Sequence, residues 1–310
     1  MTSEFARDVL AGLSSMPKRI SPKWFYDEEG SRLYEAITRL PEYYLTRAGH
    51  EIVETNAPEI VRASGAFEDI VELGSGSSSQ TRHLIRALGG RPLVYHAIDI
   101  SPAALAAALP TLAGEFPNVE PCPHLGEFVP VIEGIRQNLR GDALWLFLGS
   151  TIGNLDDEEA VGMLSTIRAA MAPGGRLLLG VDLVKDRETL ERAYDDPAGV
   201  TAAFNLNLLR RINHELGGEF DLGRFRHVAF YNARESRIEM HLESAGEQEV
   251  EVQGLGLRAR FAEGERIHTE NSKKYTDDSV SRMAAAASLK IELKWTDSRG
   301  WFAQFLLRPA

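Results

Sequence analysis

The sequence predicts an α/β fold, a parallel sheet flanked by helices, joined to a second domain of α+β type. Three observations predict it. Between about Glu51 and Asp182, short apolar runs alternate with helix-period segments, the pattern of successive βαβ units. The first run, Asp69–Leu73, feeds the turn "GSG" (Gly74–Gly76), and an acid, Asp99, follows 25 residues after Gly74 at the end of the second run. After Asp182 the pattern changes to two helical stretches and then β-like segments that suit an antiparallel sheet. The expected domains are residues 51–184 with 275–310, and residues 1–50 with 185–274.

The elements follow in order. "DIVEL" (69–73) is a strand and "QTRHLIRAL" a helix. "LVYHAID" (93–99) is the second strand. The alanine-rich helix after it has Ser101 as its cap and Pro102 in its first turn. "NVEPCPHLG" holds a third, poorer strand. "ALWLFLG" (143–149) is apolar throughout, as a strand buried on both faces should be. "DDEEAVGMLSTIRAAM" places acids at a helix N-terminus, where the dipole favours them. Pro173-Gly174-Gly175 ends that helix, and "RLLLGVDL" is the fifth strand. Beyond it come helices in "DRETLERAYDD" and "TAAFNLNLLRRINHEL". The β-like segments "RHVAFYN", "RIEMHLES" and "QEVEVQGLGLRARF" follow. A helix in "DDSVSRMAAAASL" precedes two strands joined by "SRG", a hairpin able to extend the edge of the parallel sheet. Neither internal repeats nor low-complexity tracts are seen.

The 310 residues carry a formal net charge of −11, with no basic cluster to grip nucleic acid. No apolar run is long enough to span a membrane, and the start, "MTSEFARDVLAGL", is charged and amphipathic rather than leader-like. The single cysteine, Cys122, fits a reducing cytoplasm and reads as a structural thiol. The eight histidines show neither H-x-x-x-H nor H-E-x-x-H spacing, so no metal site is expected; His124 reads as structural.

The turn at Gly74–Gly76 has three readings to exclude. A nucleophile elbow needs G-x-S-x-G, and here Ser75 sits directly between two glycines. A phosphate-cradling Walker loop needs a lysine that is absent. The dinucleotide pattern G-x-G-x-x-G has Ser79 at its third glycine position. What remains is a loop at the carboxyl end of the first strand whose glycines admit a ligand close to the backbone. Asp99 can accept two ribose hydroxyls, and Glu72 can anchor the loop or receive an ammonium group. Loss of the third glycine disfavours a pyrophosphate and suits a cofactor without phosphate.

"ELGSG" followed by "AID" resembles motifs I and II of class I S-adenosylmethionine-dependent methyltransferases. Longer strings narrow the resemblance. "PKWFYDEEGSRLYEAITRLPEYYLTR" (22–47), "FLGSTIGNL" (147–155), "DLVKDRETLERAYDDPAGVTAAFN", "RIEMHL" and "FAEGERIHTENSKKY" (261–275) resemble, in order and over nearly the whole chain, the histidine Nα-methyltransferases of ergothioneine biosynthesis. The resemblance implies a Rossmann-like methyltransferase sheet with a substrate domain built from the N-terminus and an insertion. It implies S-adenosylmethionine as methyl donor and trimethylation of the α-amino group of L-histidine, through its mono- and dimethyl forms, to hercynine. A cytoplasmic monomer is expected.

It also implies roles for particular residues. Tyr43, Asn154 and Tyr194 match positions that hold the amino-acid end of histidine, Tyr43 and Asn154 being the candidates at the reacting amine. Glu270 and Ser272 match positions that hold the imidazole, and Tyr26 and Met240 match pocket walls. Gly74 and Asp99 match cofactor positions directly. Gln80 stands where the family has a lysine, and Glu127-Phe128 where it has an Asp-Phe pair near the adenine. Read without the family, Asn154 is a turn residue capping the next helix, a role Asp156 or Asp157 can take instead. Glu270 alone reads as a solvated carboxylate, and Tyr43 and Tyr194 as core aromatics. A methyltransferase for another amino acid and a non-catalytic cofactor-binding module are the alternatives.

Overall fold

The computed structural model describes residues 3–310. The chain opens with helix α1 (Glu4–Ser14), the short strand β1 (Lys18–Arg19) and helix α2 (Glu28–Ile37). Helix α3 (Tyr44–Ala63) precedes β2 (Asp69–Leu73), α4 (Thr81–Ala87), β3 (Leu93–Asp99), α5 (Pro102–Glu115) and β4 (Val119–Leu125). Then come α6 (Phe128–Ile135), β5 (Ala143–Phe147), α7 (Asp157–Ala170) and β6 (Arg176–Asp182). Helices α8 (Arg187–Arg192) and α9 (Val200–Leu216) lead to β7 (Phe225–Asn232), β8 (Arg237–Ser244), β9 (Gln248–Val252), β10 (Leu257–Phe261) and β11 (Arg266–Lys273). Helix α10 (Asp277–Ala286) and strands β12 (Leu289–Thr296) and β13 (Phe302–Pro309) follow. The chain divides into two compact units, Met1–Tyr44 with Asp186–Ser272, and Leu45–Lys185 with Lys273–Ala310.

The second of these units is a seven-stranded sheet in the order β12-β13-β6-β5-β2-β3-β4. Strands β2 to β6 run parallel, and β13 enters antiparallel between β6 and β12. This is the Rossmann-like arrangement that the alternating runs and the terminal hairpin predict. Both β2 and β5 are buried along their whole length, which explains their lack of polar alternation. One face packs Trp145, Phe147, Leu164 and Phe305; the other packs Ile60, Tyr95, Leu112 and Phe302. Ser101 caps α5, accepting from the Ala104 N–H at 3.3 Å. Asp156 caps α7 in a reciprocal box with Glu159. Chain order reverses between β3 and β5, on either side of β2, so the crevice for a ligand opens at the carboxyl ends of these strands.

The other unit carries a four-stranded sheet, β1-β11-β8-β7, and a separate β9-β10 hairpin. The segment 248–261, which reads as one β-like stretch, folds back on itself at Gln253–Gly256, where Gly256 adopts a φ of +59°. The N-terminal residues are tied to α9. Asn207 donates to Asp27 at 2.8 Å, Arg211 donates to the Trp24 carbonyl at 2.8 Å, and the rings of Phe25 and Phe204 stack at 4.4 Å. Among the described residues no helix is long and apolar enough to cross a membrane.

Candidate active site

Two constellations stand out, one in each unit. The first surrounds the glycine turn after β2. Gly74 and Gly76 have φ of +71° and +47°, and the N–H groups of Gly74 and Ser75 both donate to the Ile98 carbonyl, at 2.8 and 3.2 Å. Asp99 is gripped by backbone: Oδ2 accepts from the Gly76 N–H and Oδ1 from the Ser101 N–H, both at 2.9 Å. Each oxygen keeps lone-pair capacity for a further donor. Burial raises its pKa, opposed by those backbone bonds.

Glu72 proves to be the anchor of the turn. Its carboxylate accepts from Thr81 Oγ1 at 2.7 Å and from the Tyr95 hydroxyl, while Ser78 Oγ lies 2.8 Å from that same hydroxyl. Burial pushes Glu72 up from 4.5 to about 7, against these hydrogen bonds. The folded state therefore holds the Glu72 proton more tightly than the unfolded chain. That contribution to stability is complete below the unfolded value and is lost as pH rises through about 7. Glu72→Gln is expected to gain on the parent by up to about 3 kcal/mol between about pH 5 and pH 8, in denaturant unfolding at the two pH values.

Gly74 faces the ring of Phe128 and the Thr151 hydroxyl, 3.6 and 3.9 Å from where a Cβ would stand. Phe128 itself packs edge-on against Phe147, with centroids 5.6 Å apart. An open glycine cradle, a flat apolar ring and a carboxylate with spare lone pairs suit a polyhydroxylated, uncharged-sugar cofactor with an aromatic base. These residues thus fit S-adenosylmethionine. Glu127 begins α6 without capping it. Gln80 turns its amide toward Gly49 of α3 and accepts from Gln304 of β13 at 3.5 Å.

Asn154 ends a 3-10 turn, Thr151–Asn154, after β5. Asp156 caps α7, so Asn154 is not needed there, and its side chain has no hydrogen-bond partner among the described residues. The turn that presents it is pinned on several sides. Ser150, at φ +62°, accepts the Asp182 N–H at 2.9 Å, and the Tyr275 hydroxyl donates to the Ile152 carbonyl at 3.3 Å. A Cβ on Gly153 would stand 3.0 Å from the Lys273 carbonyl oxygen. Gly153→Ala is expected to displace Asn154 by a few tenths of an ångström and lower kcat about tenfold, with the thermal midpoint little changed.

The second constellation is a small cavity in the other unit. Tyr26, Tyr34, Tyr43, Tyr194, Phe204, Met240 and Glu270 are among its lining residues. Its volume is about 20 Å³, the space of a single water, so the walls must part to admit an imidazole. Helices α2 and α9 and strands β8 and β11 supply most of the lining. Tyr43 and Tyr194 meet edge-on at 6.0 Å, and Tyr26 meets Tyr34 edge-on at 5.7 Å. The Tyr194 hydroxyl and Ser272 Oγ are 2.6 Å apart, so Ser272 acts on the cavity through Tyr194 rather than by lining it.

The hydroxyls of Tyr34 and Tyr43 share a hydrogen bond. Burial pushes Tyr34 up to about 12, and the Glu270 charge adds to the rise; burial also holds Tyr43 well above its usual range. Both are neutral phenols near neutrality, suited to donate and accept hydrogen bonds but not to act as bases. Tyr34 and Phe204 were not singled out by the sequence. The signal for Tyr34 was its place beside Leu33 and Ile37 on the buried face of α2. A larger groove of about 310 Å³, along the C-terminal halves of α6 and α7, lies at the other end of the sheet from the strand carboxyl ends. It is lined by Ile132, Glu133, Arg136 and Ser165 among others, with no converging acid and base.

A family model described as "Histidine-specific methyltransferase, SAM-dependent" matches residues 5–309. The chain is 46% identical to "Histidine N-alpha-methyltransferase" of Mycolicibacterium smegmatis over 298 residues, covering 96% of this chain and 92% of that one. It is 45% identical to the protein of the same name from Mycobacterium tuberculosis, with the same coverage. "Ergothioneine biosynthesis protein 1" of Neurospora crassa is 30% identical over 285 residues, 90% of this chain but 32% of that longer protein. With its parallel sheet, glycine turn and tyrosine-lined cavity, the chain belongs to the family of histidine-specific methyltransferases that use S-adenosylmethionine.

Proposed function

We propose that this enzyme methylates the α-amino nitrogen of L-histidine three times in succession, giving hercynine as the first step toward ergothioneine. The observation that carries the proposal is the cavity in which tyrosine hydroxyls, Thr201 and one carboxylate, Glu270, share the wall with aromatic and apolar side chains. The names and high coverage of the mycobacterial relatives support it. In this reading residues 45–185 and 273–310 hold the cofactor, through Gly74, Asp99, Glu127 and Phe128, with Gln80 at the family's lysine position and its amide turned to Gly49 and Gln304. Residues 1–44 and 186–272 hold the imidazole between Glu270, Tyr26 and Met240, with Ser272 orienting Tyr194. Tyr43, Tyr194 and Asn154 take the amino and carboxylate groups. The enzyme works as a monomer.

S-adenosylmethionine, when bound, supplies an electrophilic methyl group on a sulfonium. The chain's part is then to orient a neutral amine. A neighbouring positive charge favours the neutral amine, and neutral phenols such as Tyr43 can hydrogen-bond it without holding it protonated. The Asn154 amide offers both a donor and an acceptor, so it can address carboxylate and amine together. The released proton passes to water, since neither Tyr34 nor Tyr43 is basic enough to keep it. Holding the imidazole at one end leaves the amine free to turn between transfers, so mono- and dimethylhistidine stay in register.

Mass spectrometry of L-histidine incubated with the enzyme and S-adenosylmethionine tests this. Stepwise gain of three methyl groups on the α-nitrogen is expected. A product methylated on the ring, or equal turnover of amino acids without an imidazole, would overturn it.

A further inference from the structure

Strand β4 is one of the two edges of the seven-stranded sheet. Alternation puts Cys122 and His124, two residues apart, on one face of it. The parallel register sets Cys122 beside His96 of β3. His96 Nδ1 lies 3.0 Å from His124 Nε2, and ligand atoms of His96, Cys122 and His124 all fall within 4.8 Å of one another. No histidine or cysteine spacing in the sequence announces this group, because its members come from two neighbouring strands.

The imidazole of His96 is already oriented. Its Nε2 lies 3.2 Å from Asp69 Oδ1, and the fully buried Asp69 is fixed in turn by the Arg140 N–H on Oδ2 at 2.7 Å. A carboxylate on one ring nitrogen places the proton there and leaves a lone pair on the other, here Nδ1. Metal-bound histidines are held by the same outer partner.

We propose that His96 Nδ1, His124 Nε2 and Cys122 Sγ form a three-ligand site for a zinc-like divalent cation, with water in the fourth position at the exposed edge. Two imidazoles and a thiolate select zinc or its neighbours over calcium and magnesium, which take oxygen ligands. Tetrahedral zinc–nitrogen bonds would separate the two nitrogens by about 3.3 Å. The observed nitrogen–nitrogen spacing opens by a few tenths of an ångström, which His124, partly exposed on the edge strand, can turn to supply, and Cys122 Sγ, within 4.8 Å of both nitrogens, closes to the roughly 3.6 Å that tetrahedral zinc sets between nitrogen and sulfur. On binding, the Cys122 thiol proton leaves to solvent and the His124 proton shifts from Nε2 to Nδ1, so both ligand atoms present lone pairs. The ion would clamp the edge strand to β3 close to Asp99, whose carbonyl accepts the Gly126 N–H at 3.1 Å.

Titration of the whole enzyme with Co²⁺, a spectroscopic stand-in for zinc, tests the site. One equivalent should produce a thiolate-to-cobalt charge-transfer band, and Zn²⁺ should displace it. The band should vanish in Cys122→Ser. In His124→Ala the affinity should fall by at least the roughly 10- to 100-fold that loss of an outer-shell partner alone costs. Both changes lie on the edge strand, and retained methyl transfer by each variant reports an intact fold. Absence of the band, or a band and affinity unchanged in Cys122→Ser, would overturn the proposal.

Discussion

Glu270→Ala is expected to lower kcat/KM for histidine by about 100-fold, with most of the loss in KM. A hydrogen bond to a charged group contributes roughly 1.5–3 kcal/mol, and an imidazole N–H buried without a partner costs a similar amount. Among the described residues Glu270 is the one carboxylate lining the cavity, so no other of them there replaces it as a charged acceptor. Glu270→Gln keeps an acceptor and should recover part of the loss. The S-adenosylmethionine affinity should be unchanged in both variants, measured by isothermal titration. An equal fall in cofactor affinity, or unchanged KM for histidine, would remove Glu270 from the imidazole's binding site.

Asp99→Ala should act on the cofactor instead. The carboxylate holds the N–H groups of Gly76 and Ser101 at 2.9 Å each, so the substitution loosens the glycine turn and removes the acceptor proposed for the cofactor's hydroxyls. Two charge-assisted bonds of this kind make a loss of about 100-fold in S-adenosylmethionine affinity the expected result. Asp99→Asn retains one acceptor and should fall between. Unchanged affinity in Asp99→Ala would show that the turn keeps its shape without the carboxylate and that the cofactor does not touch it.

The sheet was legible because its strands are short, apolar and regularly spaced, and because its caps, Ser101 and Asp156, are local chemistry. Helix α6 was not read: "FVPVIEGI" is only eight residues, with an internal proline and a single charged side chain. The β9-β10 turn was missed because its polar-apolar alternation hardly breaks across Gln253–Gly256. In the candidate site, individual residues were legible only through long strings of family resemblance. Tyr34 and the Tyr194–Ser272 pair depend on which helix and strand faces meet, and the His96–Cys122–His124 group depends on register across the sheet. Period and spacing along one chain do not encode either.

The parallel pairing of β1 with β11 has a kinetic consequence. Lys18 and Glu265, ion-paired beside it, are 247 residues apart in sequence. Closing so long a loop costs about 5 kcal/mol of chain entropy before any contact compensates it. Two residues of strand and one ion pair repay little of that alone, so β1 should join its sheet late in folding and leave it early. In native-state hydrogen exchange the Ile20 amide, which donates to the His268 carbonyl at 2.9 Å, should therefore exchange through a smaller opening than the amides of β8. The N-terminal segment that carries Tyr26, Tyr34 and Tyr43 would then be the part of the cavity wall best able to yield.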